Sequence, residues 1–240
     1  SMVAITELVH REEPGDLAER SGIKLVNFCD LLPENIEEQA RSLVTRKGER
    51  IDIPNVGPRM LDPKNIKSRT SIRVFGKDIF MEWPWAERRY RSEDPYRGFL
   101  GIARRVLDNP DLYALDDPDY ASVLNTFVDP SDMFNWHTDD TDASLFVPLT
   151  TVSHGQGGGL MIANSIYFPG SQQEKNTHYT LIPAITGQGA VFDGRVRPHF
   201  GQPLIHGAPM RIGWAMSFKG PNYNTANRPP GFNEKRHRDK

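Results

Sequence analysis

Apolar positions in the first half of the chain recur at helical spacing. Residues 33–44 open on Pro33, carry acids in their first turn and Arg46 and Lys47 near their end, and stop at Gly48, which predicts a helix. Residues 95–107 start the same way and place Phe99, Ile102, Ala103 and Val106 on one face. Between them, residues 72–75 and 79–81 look like short strands across a Gly76-Lys77-Asp78 turn. In the second half the pattern is that of short strands. Residues 123–128 form one, Asp129-Pro130-Ser131-Asp132 supplies turn chemistry, and residues 133–136 lead into His137. Residues 144–152, 160–163 and 187–193 follow as strands, broken by Gly157-Gly158-Gly159 and a glycine turn. Residues 199–204 precede a last strand over 211–218. The expectation is a mainly β fold with flanking helices, as one domain over residues 1–219 with a core at about 120–219 and a mobile polar tail over 220–240.

Composition narrows the function classes. A chain of 240 residues suffices for one large β domain with a helical buttress. A net charge of −2 leaves no electrostatic footprint for nucleic acid over the whole chain. The single cysteine, Cys29, excludes a disulfide framework and suits a reducing cytoplasm. No apolar run reaches the roughly 18 residues that a bilayer span needs, and no basic and apolar signal segment follows Met2, so a cytoplasmic protein without membrane partners is expected.

The chemistry concentrates in Asn135-Trp136-His137-Thr138-Asp139-Asp140. Residues i and i+2 of a strand or its end share a face, so His137 and Asp139 can reach one metal ion. His199 adds a second imidazole. Two imidazoles and one carboxylate on one face of an ion leave the opposite face open, the arrangement of non-haem Fe(II) oxygenases. The bland alternative is a structural His–Asp pair at a strand end. His206, in Leu204-Ile205-His206-Gly207, competes with His199 for the distal position, whereas His154 and His178 read as surface residues.

A longer pattern carries a resemblance. Asn125-x-Phe127, Trp136-His137-x-Asp139, Gly157-Gly158-Gly159-Leu160, residues 189–194, His199-x-Gly201-x-Pro203-Leu204 and then Arg211 follow one another in the order seen in the Fe(II)/2-oxoglutarate-dependent oxygenase superfamily, which this core resembles over residues 120 to 219. The resemblance implies a double-stranded β-helix, or jelly roll, of cupin-like architecture with a metal pocket between two sheets. It implies Fe(II) held by His137, Asp139 and His199, with 2-oxoglutarate and dioxygen as cosubstrates. It also implies Arg211 as the clamp on the far carboxylate of 2-oxoglutarate, a role that suits a planar guanidinium, with Arg197 or Lys219 as alternative bases. Asn125 would donate to the cosubstrate, or else merely pair backbone groups.

The closest pattern is that of small-molecule hydroxylases acting on free amino acids. There an acid at the place of Asp140 pairs with a substrate ammonium; the alternative is a solvated carboxylate in an acidic cluster. The related halogenases replace the iron carboxylate by glycine or alanine, and Asp139 departs from that, pointing to hydroxylation or desaturation. The alkylated-nucleic-acid repair oxygenases share Asn-x-aromatic and Trp-His-x-Asp-Asp, but their second arginine after Arg211 is missing here. A non-catalytic cupin-type metal-binding or sensor protein is the non-enzyme alternative, and it would have no need of Arg211 at the pocket.

Overall fold

The computed structural model describes residues 22–54, 67–164 and 179–220. Its strands are β1 (Ile23–Asn27), β2 (Glu49–Pro54), β3 (Lys67–Phe75), β4 (Tyr113–Ala114), β5 (Ser122–Phe127), β6 (Met133–His137), β7 (Ala143–Pro148), β8 (Leu160–Ala163), β9 (Tyr179–Ile182), β10 (Gln188–Phe192), β11 (His199–Gly201) and β12 (Arg211–Lys219). Hydrogen bonds join them along one path in the order β1-β10-β7-β12-β5-β3-β6-β11-β8-β9, with β2 on β3 and β4 on β12. Every pairing is antiparallel. At β3 the path bends, because this strand pairs with β5 over residues 72–75 and with β6 at Arg69 and Thr70. The far end returns so that β9 lies alongside β10. The result is a nearly closed antiparallel barrel of jelly-roll type, as expected.

Alternation assigns the two faces of the wide sheet. Ile212, Trp214, Met216 and Phe218 of β12, Leu124 of β5 and Leu145 and Val147 of β7 point outward into the main hydrophobic core. That core is closed by α1 (Ile36–Lys47), α2 (Gly76–Glu82), α3 (Pro84–Arg91) and α4 (Phe99–Val106). Trp214 is its centre: it is fully buried, its Nε1 donates to Ser122 Oγ at 2.7 Å, and its ring meets Trp83, Trp85 and Phe99 edge to face. Tyr90 of α3 clasps helix layer to sheet, its hydroxyl donating to the Ser217 carbonyl and accepting from the Leu115 amide, both at 2.8 Å. Facing the other way, Arg211 and Gly213 of β12 and Asn125 and Phe127 of β5 line the interior.

The helical half departs from expectation in three places. Helix α1 starts at Ile36 behind Asn35, with Pro33 in the preceding turn, where its carbonyl accepts from the Ile36 amide; Gly48 ends the helix as expected. Helix α4 starts at Phe99 and not at Pro95, because the Asp94 carboxylate accepts from the Tyr96 and Arg97 amides and folds residues 94–98 into a turn. Residues 79–81 are not a strand. They lie in α2, where Ile79 and Phe80, together with Trp83 one turn on, are buried against the sheet. Helix α3, with Pro84 in its first turn, is a further element that the apolar pattern does not announce. Beyond Gly220 the expected tail lies outside the described residues.

Candidate metal centre

His137 ends β6 and stands directly opposite His199, the first residue of β11, with ring centroids 4.1 Å apart. Four residues of β6, Phe134 to His137, are matched there by only three on β11, His199 to Gly201, so β6 carries a bulge. The bulge changes the alternation so that Phe134 and His137 face the same side. Their rings stack at 3.6 Å. Trp136 is left to pack on the outside, against Phe200 and Tyr179. Asp139, two residues past the strand end, is tethered by its amide, which donates to the Gly194 carbonyl at 2.8 Å. Its Oδ1 lies 3.4 Å from His199 Nε2 and 3.6 Å from His137 Nε2. Among the described residues this is the one group of three or more His, Cys, Asp or Glu side chains whose donor atoms lie close enough to share an ion.

The donors are prepared for a cation. His199 Nδ1 sits 3.0 Å from the Arg197 carbonyl, which can only accept, so Nδ1 carries the hydrogen and Nε2 presents its lone pair to the site. Asp139 Oδ2 is occupied by Ser144 Oγ, leaving Oδ1 between the two imidazoles. Burial pushes the Asp139 carboxyl up, but His199 and His137, when their rings are protonated, and the Ser144 hydroxyl outweigh it and hold the group well below the usual carboxylate range. A first-row metal with bonds of about 2.1 Å sets adjacent ligands about 3 Å apart, so the observed spacing needs only a small closure. Two imidazoles and one carboxylate without a thiolate suit iron.

Arg211 enters the same interior from β12. It is 3% exposed, its Nε donates to the Gly158 carbonyl at 2.8 Å, and its Nη1 donates to the Asn125 carbonyl at 3.3 Å. The guanidinium lies over Phe127 and Phe146, at 4.7 and 5.0 Å. Burial lowers its pKa to about 10, and no carboxylate among the described residues pairs with it. The two alternative bases are committed elsewhere, Arg197 to Asp193 at 2.5 Å and Lys219 to Asp116 at 3.4 Å. His206 is exposed and outside the cluster, and His154 is exposed as expected, while His178 lies outside the described residues. Asn125 is buried on the interior row, and Asp140 is half-buried beside Asp139.

No protein-family model matches this sequence, and no curated protein matches it in sequence. Solved structures do. The chain is similar to the non-heme alpha ketoglutarate dependent carbocyclase SnoK from nogalamycin biosynthesis, with a TM-score of 0.58 at 13% identity over 97% of this chain and 92% of that one. The epimerase SnoN of the same biosynthesis gives 0.57 at 12% identity over 87% and 84%. AviO1 from Streptomyces viridochromogenes gives 0.55 at 14% identity over 90% and 98%. The chain shares its fold with these structures, two of which are non-heme alpha ketoglutarate dependent enzymes. At these identities the likeness is one of fold.

Several residues of the site have roles that the sequence pattern does not give. Ser144 and Gly194 shape Asp139, the Arg197 carbonyl sets the His199 tautomer, Phe134 stacks on His137, and Arg73 bonds Asn125. For Gly194 the Asp193-Gly194 turn after a strand is a signal. The others act through contacts between strands distant in sequence, for which the sequence carries no local mark.

Proposed function

We propose that the chain is a non-haem Fe(II)- and 2-oxoglutarate-dependent oxygenase acting on a small-molecule substrate. The observation that carries this reading is Arg211: a buried guanidinium without a carboxylate partner among the described residues, opening on the interior that holds the His137–Asp139–His199 cluster. A buried cation is retained at a cost unless an anion meets it, and a cupin-type binding module has no use for one there. In this reading His137, Asp139 and His199 hold the iron, and Arg211 with Asn125 holds the distal carboxylate of the cosubstrate. Iron, 2-oxoglutarate and dioxygen together supply the power to remove hydrogen from a C–H bond, with succinate and carbon dioxide as coproducts. Phe134 and Phe192, against the rings of His137 and His199, and Phe127 and Phe146, against Arg211, keep water from these groups.

The deciding experiment is anaerobic titration of the Fe(II)-loaded protein with 2-oxoglutarate, following the weak visible charge-transfer band. The band is expected in the wild type and in His206→Ala, and absent in His137→Ala, Asp139→Ala and His199→Ala. Arg211→Ala should weaken the cosubstrate by roughly thirtyfold or more, since truncating one side of a buried charge pair costs roughly 2–5 kcal/mol. A wild-type protein that binds iron but gives no band with 2-oxoglutarate would sink the reading.

For the substrate we propose an amine-bearing metabolite such as a free amino acid, supported by the half-buried Asp140 beside the cluster. Asp140→Asn should then weaken the substrate tenfold to a hundredfold and leave 2-oxoglutarate affinity unchanged. The neighbouring enzymes named epimerase and carbocyclase indicate that hydrogen removal on this fold can end otherwise than in a hydroxyl group. Succinate formation across free amino acids and, separately, methylated single-stranded oligonucleotides tests the class; stimulation by the oligonucleotides alone would replace it with nucleic-acid repair.

A further inference from the structure

Arg73 stands on β3 directly opposite Asn125 of β5, and Asn125 is in turn opposite Gly213 of β12. Its neighbours Ile72 and Val74 pack outward against the helical core, so alternation turns Arg73 inward, into the row of Asn125. Arg73 Nε donates to Asn125 Oδ1 at 3.0 Å. A guanidinium has donors and no acceptor, so only the oxygen end of the asparagine amide can face it. That fixes which end faces the other way. Asn125 Nδ2, with two N–H groups, finds no acceptor among the described residues, although the residue is only 7% exposed. The main-chain carbonyl of the same asparagine accepts from Arg211, so the idle amide and a guanidinium that has no carboxylate partner among the described residues meet at one residue.

We propose that Arg73 is a positioning residue that holds the Asn125 amide with its nitrogen inward, so that Asn125 and Arg211 together present only donors to a bound carboxylate. Identifying that carboxylate as the one on 2-oxoglutarate rests on the function proposed above. Without Arg73 the amide is free to turn over and offer its oxygen to the anion, which converts an attraction into a repulsion. The arrangement also explains why an asparagine and not an aspartate suits this place. An aspartate would satisfy Arg73 as a salt bridge but would have no hydrogen to give.

The test combines binding with a direct view of the amide. Arg73→Met should weaken 2-oxoglutarate, measured anaerobically on the Fe(II)-loaded protein, by about tenfold, the size of one hydrogen bond to a charged group. Arg73→Lys, which keeps a donor, should recover most of that loss. Asn125→Ala should lose at least as much, and adding Arg73→Met to it should change nothing further, because Arg73 acts through Asn125. Affinity for Ni(II) should be the same in all these variants. In nitrogen-15 spectra of the protein without cosubstrate, the Asn125 side-chain amide should shift in Arg73→Met and return in Arg73→Lys. Additive losses in the double variant, or an Asn125 amide signal unmoved by Arg73→Met, would overturn the proposal. If the wild type fails to bind 2-oxoglutarate, the functional reading falls, and the amide signals still decide for or against the role of Arg73.

Discussion

At Gly194 there is no room for a side chain. A Cβ there would lie 2.1 Å from Ser144 Oγ and 2.7 Å from Asp139 Oδ2, the two atoms whose bond aims the carboxylate. Gly194→Ala is therefore expected to swing Asp139 out of line and weaken Co(II) or Ni(II) binding tenfold to a hundredfold, the usual effect of disturbing an outer partner of a ligand, as read by calorimetric titration. Ser144→Ala should do the same more mildly. At Arg211 the expectation runs against intuition. Its pKa is lowered by burial from the ordinary arginine value to about 10, so the folded state disfavours the cation; that cost is fully present below pH 10 and fades as pH rises above it. It amounts to roughly 3 kcal/mol. Arg211→Met removes it but leaves the Gly158 carbonyl without its donor, a loss of about 1–3 kcal/mol. The two nearly offset, so the melting temperature should move by less than about 5 °C, while the stabilisation given by added 2-oxoglutarate disappears. The cluster of His137, Asp139 and His199 is legible in the sequence because residue type and spacing already constrain it, whereas Arg211 and Asn125 are singled out by the resemblance. Ser144 and Arg73 are not, because a serine and an arginine on ordinary strands acquire their meaning only from what lies across the barrel.

Elements are legible where period and turn chemistry agree. The strands over 122–127, 133–137, 160–163, 188–192 and 211–219 fall where alternation and glycine or aspartate turns put them. The failure is at residues 76–91, where a Gly-Lys-Asp triplet imitates a hairpin turn and Phe75, Ile79, Phe80 and Trp83 suit either period over so short a run. Tertiary packing decides there. Helix α2 approaches α5 (Pro118–Ala121) so closely that a Cβ on Gly76 would lie 1.8 Å from the Pro118 carbonyl oxygen. Main chain cannot give way as a flexible side chain does, and Gly76→Ala is expected to cost about 2–3 kcal/mol, lowering the melting temperature by roughly 5–10 °C in a thermal scan. Metal affinity of the folded fraction should be unchanged. The bulge in β6 has no signature in the sequence either, yet it decides that Phe134 and His137 share the interior face.

Across the whole molecule the wide sheet divides its labour by face. Helices cover the outer side, and the inner side belongs to the site, so neighbours in sequence answer to different demands: Trp214 holds the core while Gly213 and Arg211 line the interior. Trp214→Phe should lower stability by about 2 kcal/mol through lost packing and the lost bond to Ser122, yet leave cosubstrate affinity as it was, which separate melting and binding measurements can show. The order of strands that makes this possible, with β12 between β7 and β5, joins segments too far apart for the sequence to display their pairing. One bond gives the arrangement a temporal dimension. Arg211 Nε holds the Gly158 carbonyl, so the side chain proposed to clamp the cosubstrate is also the pin of the glycine run between β7 and β8. Whatever immobilises that guanidinium immobilises the run with it. Amide hydrogens at residues 158–160 should accordingly trade with deuterated solvent more slowly once 2-oxoglutarate is bound, and in Arg211→Met they should trade quickly whether or not it is added. Occupancy of the space beside Arg211 would thus be announced in the glycine run before any substrate arrives.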